Sequence, residues 1–486
     1  MHLSPLLAAL AAVSPALAFF RLPCDNVLVR ERVDPIVSPG QVAGHTHTVS
    51  GGSGFSLSST YDDMRKSACT SCRAKADKSA YWTPQLYFAF ASSFESVEQI
   101  GGGMIYYLPR SHPTDKTKVL AFPKGLKMLA GSPLRRTFNA SSQVDQAIGW
   151  NCLGAAGTMQ TRVPELPKQN CPDGLRGEIR FPSCWNGKDL HKADQSHMAY
   201  PIDGESGPCP STHPKRIVTL FYEMMYNVNS FKDSWHLAED PKSPFVLASG
   251  DPTGYGYHGD FMNGWDIPVL QTALDTCTSN TGMIEECKVL ELYDRSVDGE
   301  CRKTPDVDEV VLGPLKKLPG CNPISKTTSA AKAASSTCAN VAGPALFTKT
   351  TTYTGKFAPP GAHVTKDMPY TVVSFKGYKY QGCYSDTGAR TLPIMLSPGS
   401  ATVAACLNAA RAAGYAYVGL EFGGQCWAGD ALPARAEKLD YAKCNMVCED
   451  RKLNVCGGPN ALSLYELVRQ TSSRSKRHGI LTLDHM

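Results

Sequence analysis

Eighteen cysteines are spaced along the chain, twelve before residue 340 and six crowded between Cys383 and Cys456. What they do depends on the compartment. The opening stretch MHLSPLLAALAAVSPALA has an apolar core too short to span a bilayer, and it closes on the small-x-small pattern Ala16-Leu17-Ala18. That combination marks a secretory signal over residues 1–18 and predicts a mature chain that starts near Phe19. In an oxidising compartment the cysteines are expected to form disulfides. Cys69 and Cys72 have the C-x-x-C spacing, which also suits a metal or a redox centre. The extracellular setting favours structural bridges, to each other or to distant partners.

Other partners are excluded on composition. No later stretch reaches about 18 uninterrupted apolar residues, and the C-terminus lacks the hydrophobic tail of a GPI anchor. No membrane anchor is therefore expected. The formal net charge is only +5, with basic residues scattered rather than striped, so nucleic acid is not an expected partner. The 34 prolines and 42 glycines suit a loop-rich β protein facing a polar ligand. One clear N-glycosylation sequon, Asn139-Ala140-Ser141, fits secretion.

A chain of 486 residues should hold about two domains. Residues 19–322 read as one large domain. Strand-like runs appear at QLYFAF (85–90), MIYYLP (104–109), KRIVTLFYEMMY (215–226) and FVLAS (245–249), separated by Gly/Pro/Asp turns. This pattern predicts a mainly β fold, a sandwich or jelly roll. A helix is expected over 266–277, with Asp266 as its cap. Residues 323–376 are rich in Ser, Thr, Ala and Pro and read as a tether. Cys338 within it is expected to reach back to the first domain, to Cys321. Residues 377–468 form a small α+β module with six cysteines, in which 402–414 is a helix capped by Thr402 and stopped by Gly414. A strand and a turn follow over 415–429. The tail, 469–486, is polar and expected to be disordered, with Lys476-Arg477 a solvated charge run.

The small module resembles the WSC domain. The matching residues are YQGCYSDTGARTL (380–392), the helix with Cys406, GYAYVGLEFGGQCWAGD (414–430), CNMVCEDRKLNVCGG (444–458) and LSLYEL (462–467). The resemblance implies a carbohydrate-binding module of a kind found in fungal wall sensors and secreted enzymes. It also implies cysteines where this chain has Ala410 and Ala428, as though one bridge had been lost as a pair. The large domain resembles the DUF1996 family through DPIVSPGQVAGHTHTVSGGSGF (34–55), CTSCRAKADKSAYWTPQLY (69–87), IRFPSCWNGKDLHKADQSHMAYP (179–201), CPSTHPKRIVTLFYEMMY (209–226) and GDPTGYGYHGDFMNGWD (250–266). That family carries no settled activity, so chemistry has to be argued from the residues.

His45 and His47, one residue apart, fall on one face of an extended strand and make half of a metal site. A third ligand would come from His197, His213 or His258, with Asp260 or Asp194 adding an oxygen. The preferred reading instead has no metal and no cofactor. It is carboxylate general acid–base catalysis on a glycan, with Glu223 as the acid and Asp260 or Asp194 as its partner. His258 with Tyr255 and Tyr257 would serve an elimination. His45, His47, Trp82, His197, Tyr255, Tyr257, Trp265 and Asp266 are expected to bind sugar, the aromatic planes stacking on the rings. The whole reads as a secreted, monomeric, carbohydrate-active protein that cleaves wall or biomass polysaccharide, anchored by its small module. The rivals are a non-catalytic wall-glycan binder and a metal-dependent or lyase-type enzyme that uses the histidines.

Overall fold

The computed structural model describes residues 19–467, leaving aside 113–116, 155–161, 278, 294–300, 302, 304, 308, 310, 313–314, 339–343, 345, 347–370, 373, 376, 398, 400 and 449–453. The expected signal segment, the polar tail and most of the tether lie outside the described residues. The chain divides into two compact units at Thr352/Tyr353. It is mainly β, as its alternating, turn-bounded runs predict. No helix among the described residues is long and apolar enough to cross a membrane.

Two five-stranded antiparallel sheets, with two smaller three-stranded ones, build the first unit. The back sheet orders its strands as Phe20–Cys24, Gly103–Leu108, Thr219–Tyr226, Leu175–Arg180, Ile148–Cys152. The front sheet runs Val29–Glu31, His47–Gly51, Ala80–Pro84, His258–Met262, Lys127–Gly131. Their inner faces meet through aromatic rings. Tyr81 lies 5.8 Å from Tyr222 and 5.6 Å from Phe261, and Tyr222 lies 4.6 Å from Phe181. Gly259 is required at this seam, because a Cβ there would stand 2.8 Å from Ile179 Cδ1.

Side chains alternate along a strand, so the inner contacts fix the outer ones. Tyr222, Met224 and Tyr226 point inward and are buried, which turns Phe221, Glu223 and Met225 outward. On the front sheet, Trp82 pairs with Val49 on one side and Asp260 on the other. Directly paired residues share a face, so His47, Val49, Trp82, His258, Asp260 and Met262 all point away from the back sheet. This outer face is still dry, because residues 32–46 and the described residues between Cys301 and Asn322 fold over it. Glu31 accepts from the Asp306 and Val307 amides at 2.6 and 3.0 Å. Arg32 pairs with Glu309 at 2.5 Å.

Cysteines fasten this cover. Cys69 bonds Cys301 across 232 residues of sequence, and Cys72 bonds Cys24. The C-x-x-C pair is therefore two separate structural bridges. Cys321 is bridged as well, while the side chain of Cys338, its expected partner, lies outside the described residues. The start of the expected tether differs from the sequence reading. Residues Thr328–Cys338 form an alanine-rich helix whose Ala331 is buried against the first unit. Alanine carries the highest helix propensity, and one small apolar side chain per turn is enough to dock such a helix. The helix expected after Asp266 is present over Ile267–Thr276, with the Asp266 side chain accepting from the Val269 amide.

The second unit is one antiparallel sheet carrying the helix Val403–Ala413. Thr402 caps that helix at Ala405 N, and Gly414, at φ +83°, ends it. Bridges Cys383–Cys444, Cys406–Cys426 and Cys448–Cys456 staple a core too small to hold alone. Ala410 and Ala428 are both fully buried in the same apolar cluster, so small side chains fill the place of the absent bridge.

Candidate functional site

Three histidines converge on the outer face of the front sheet. His47 and His258 stand on strands, and His45 sits one step before the first of them. Their ligating nitrogens all lie within 4.8 Å of one another. The ring centroids of His45 are 4.4 Å from His47 and 5.0 Å from His258. The one-face expectation for His45 and His47 holds, and of the proposed third partners only His258 joins them.

Backbone carbonyls fix which nitrogen of each ring is free. His47 Nδ1 donates to Val33 O at 2.9 Å, and His258 Nδ1 donates to Gly256 O at 2.8 Å. A carbonyl accepts only, so each neutral ring must keep its lone pair on Nε2. His258 Nε2 lies 3.0 Å from His45 Nε2. His47 Nε2 is buried with no hydrogen-bond partner. The Gly256 carbonyl is held in turn by a buried ion pair. Asp251 accepts from the Gly256 amide at 2.6 Å and meets Arg136 at 3.3 Å, both side chains fully buried.

Burial, together with the charges of neighbouring groups, keeps all three imidazoles neutral. Desolvation pushes His47 down to about 3 and His258 to about 4, and His45 falls well below its ordinary value. A second group shares His47: Asp34, His47 and Asp260 also place ligating atoms within 4.8 Å of one another. Asp260 is wholly buried, both of its oxygens lack a partner, and burial drives its carboxyl well above the usual range. Asp34 accepts from the Ile36 and Val37 amides at 2.9 and 3.0 Å and is raised to about 6, again mainly by burial. The sequence reading missed Asp34. Its signal was Asp-Pro at the head of the segment that leads to the histidines.

His45 is the accessible member. With Gly44, Ser249 and Asn322 it lines a cavity of about 280 Å³, and Ala331 and Ala334 of the alanine-rich helix form another wall. Asn322 fixes the mouth by donating to Gly44 O at 2.8 Å.

The other expected site residues stand elsewhere. Glu223 is on the outer face of the back sheet, where Tyr106 OH donates to it at 2.8 Å and Arg176 pairs with it at 3.3 Å. Stacked sheets are about 10 Å apart, so Glu223 and Asp260, on opposite outer faces, cannot flank one glycosidic bond at the roughly 5–9.5 Å that hydrolysis needs. Asp194 is exposed and accepts from the Ser196 amide, a turn contact. His197 is buried against Lys127 O, and His213 is half-buried and bonds Ser196 O. Trp82, Tyr257 and Trp265 are core residues with no exposed surface, and Asp266 is the helix cap. Among the expected aromatics Tyr255 alone keeps a partly open face, stacked on Phe138 at 6.3 Å.

Comparison with known proteins gives the class of each unit. Residues 34–265 match the family described as "Domain of unknown function (DUF1996)", and residues 380–458 match the WSC domain. The chain thus carries a DUF1996 domain followed by a C-terminal WSC domain. It is 37% identical over 99 residues to a WSC domain-containing protein of Arthroderma benhamiae, which covers 18% of this chain and 10% of the relative. Over 119 residues it is 32% identical to a Chaetomium globosum protein provisionally named a fungistatic metabolite, covering 24% and 51%. Xylosyltransferase oxt of Drosophila melanogaster is 33% identical over 88 residues, covering 18% and 10%. The chain spans from a tenth to about half the length of these curated relatives.

Proposed function

We propose that this is an extracellular glycan-anchored protein whose WSC unit holds polysaccharide while the DUF1996 unit acts at the cavity walled by His45. The observation that carries the reading is the convergence of His45, His47 and His258 in a strongly desolvated polar cluster whose His45 opens on a cavity. The carboxylate mechanism loses its partner residue, since Glu223 stands on the far face and is already paired. A cavity of about 280 Å³ is near the lower end for ligand sites, roughly 300–1,000 Å³. That size suits the end of a glycan chain or a single sugar-sized group rather than the middle of a polymer. Anchoring raises the local concentration of such ends.

The test is a panel of insoluble β-glucan, chitin, mannan and uronic-acid polymers. Retention on one of them, with release of soluble product, is expected. His45→Ala should abolish product and leave retention intact, whereas Glu223→Gln should leave both. Retention with no product on any polymer would instead make this a binding protein. Product lost on Glu223→Gln would restore the carboxylate mechanism.

A further inference from the structure

We propose that the DUF1996 unit binds one late first-row divalent transition ion, through Nε2 of His45, His47 and His258, with the Asp260 carboxyl close by His47. This goes beyond the glycan reading and stands or falls without any glycan. Three independent features of the site support it.

The first is donor geometry. Donors about 2.0–2.1 Å from one zinc ion stand at most about 4.2 Å apart. The His45 and His258 Nε2 atoms are 3.0 Å apart, and the set of three falls within 4.8 Å. Closure on a single ion thus requires well under about 1 Å of movement. The second is the outer layer. Val33 O and Gly256 O each take the Nδ1 proton of a ring, which sets the tautomer and aims the Nε2 lone pair inward. Metal-bound histidines are oriented in this way. The Arg136–Asp251 pair then fixes the Gly256 end, so the strut is itself braced.

The third is the orphaned polar atoms. A buried donor or acceptor without a partner costs roughly 1–3 kcal/mol. His47 Nε2 and both Asp260 oxygens are such atoms, a ligating atom of Asp260 lies within 4.8 Å of one on His47, and neither residue has exposed surface. A cation among the three imidazoles satisfies His47 Nε2 and sets a positive charge near Asp260.

Donor type selects the ion. Imidazole nitrogen suits zinc, copper, nickel and iron, while calcium and magnesium require oxygen cages. His45, partly exposed at the cavity wall, leaves the ion a side that faces the cavity. An open position of that kind distinguishes reactive from purely structural zinc sites.

The experiment uses the full chain, stripped with chelator and dialysed. It is titrated separately with Zn²⁺, Cu²⁺, Ca²⁺ and Mg²⁺, and ion content is read by plasma mass spectrometry. One Zn²⁺ or Cu²⁺ per chain is expected, with a rise in thermal midpoint and, for Cu²⁺, imidazole-nitrogen splitting in the electron paramagnetic resonance spectrum. Ca²⁺ and Mg²⁺ should neither bind nor shift the midpoint. His45→Ala, at the cavity wall, should weaken binding at least as much as the roughly 10–100-fold loss typical of outer-layer changes. Asp260→Asn should weaken it less. Glu223→Gln, on the far face, should bind as the parent does. Far-ultraviolet circular dichroism separates lost binding from lost fold. Substoichiometric loading of the folded parent, or unchanged Zn²⁺ and Cu²⁺ affinity in folded His45→Ala and His258→Ala, overturns the proposal. Because no glycan is present, failure here leaves the anchoring reading untouched.

Discussion

The two outer faces of the sandwich differ in how completely their carboxyl groups are answered. On the back face every carboxylate is answered. Glu223 has Tyr106 and Arg176; Glu178 has Asn151 at 2.5 Å, Arg176 at 2.8 Å and Arg162 at 3.0 Å. On the front face His47 Nε2 and both Asp260 oxygens have no partner at all. The back face is a charged surface tied off by its own arginines. The front face holds polar atoms under a cover of 32–46 and the described residues between Cys301 and Asn322 without satisfying them. A buried polar group that folding leaves unpaired is retained for something other than stability.

The largest effect that would break this contrast comes from the brace beneath the histidines. Arg136→Met leaves Asp251 buried and unpaired and should cost about 3–5 kcal/mol in urea unfolding. A change within error would mean that the 251–256 loop does not depend on the pair. Next, Asp260→Val removes two orphan oxygens and should stabilise the metal-free protein by about 1–3 kcal/mol. Destabilisation would show that Asp260 has a structural partner. Glu223→Gln should cost less than about 1 kcal/mol, the usual worth of a pair near the surface; a loss several times larger would make the back face the demanding one.

The smallest expected effect is a slope, and it extends the contrast to the WSC unit. Glu421 is paired with Arg390 at 2.6 Å, yet burial and the neighbouring Asp386 raise its carboxyl to about 7. Its folded value is thus above its unfolded value near 4.5. The folded state holds the proton longer, so the stability contributed is fully present below about pH 4.5 and is lost as pH rises through about 7. Unfolding midpoints of that unit taken between pH 4.5 and 8 should fall for the parent and flatten for Glu421→Gln. Parallel curves would remove Glu421 as the cause.

Local features were legible because local chemistry decides them. Asp266, Thr402 and Gly414 act as caps and stops wherever they meet a helical run, and both helices are bounded as their residues require. His45 and His47 do come together, but the strand starts only at His47, so the bend that carries His45, rather than strand alternation, brings its ring alongside. Which face is inside was not legible. TLFYEMMY has large apolar residues at both parities, so nothing local turns Glu223 outward; the match of Tyr222 to Phe181 and Tyr81 across the seam does. The tryptophans show the same limit. Trp82 and Trp265 border polar turns in sequence yet are sealed by segments far away along the chain. The Ser/Thr/Ala composition that suggested a tether hid a helix, because docking by Ala331 is a tertiary contact and leaves no large apolar residue to notice.

The Cys69–Cys301 bridge and the Asn322 contact with Gly44 bear on the order in which this molecule comes into being. Gly44 and Asn322 are 278 residues apart. A chain emerging from the ribosome presents His45 and His47 early, and more than half of the protein must follow before their cover exists. Pairing at such separation is slow, because loop closure precedes any reward. The histidine face therefore cannot be fully enclosed before Asn322 has been made. Until then it is open to solvent and to the ions dissolved in it.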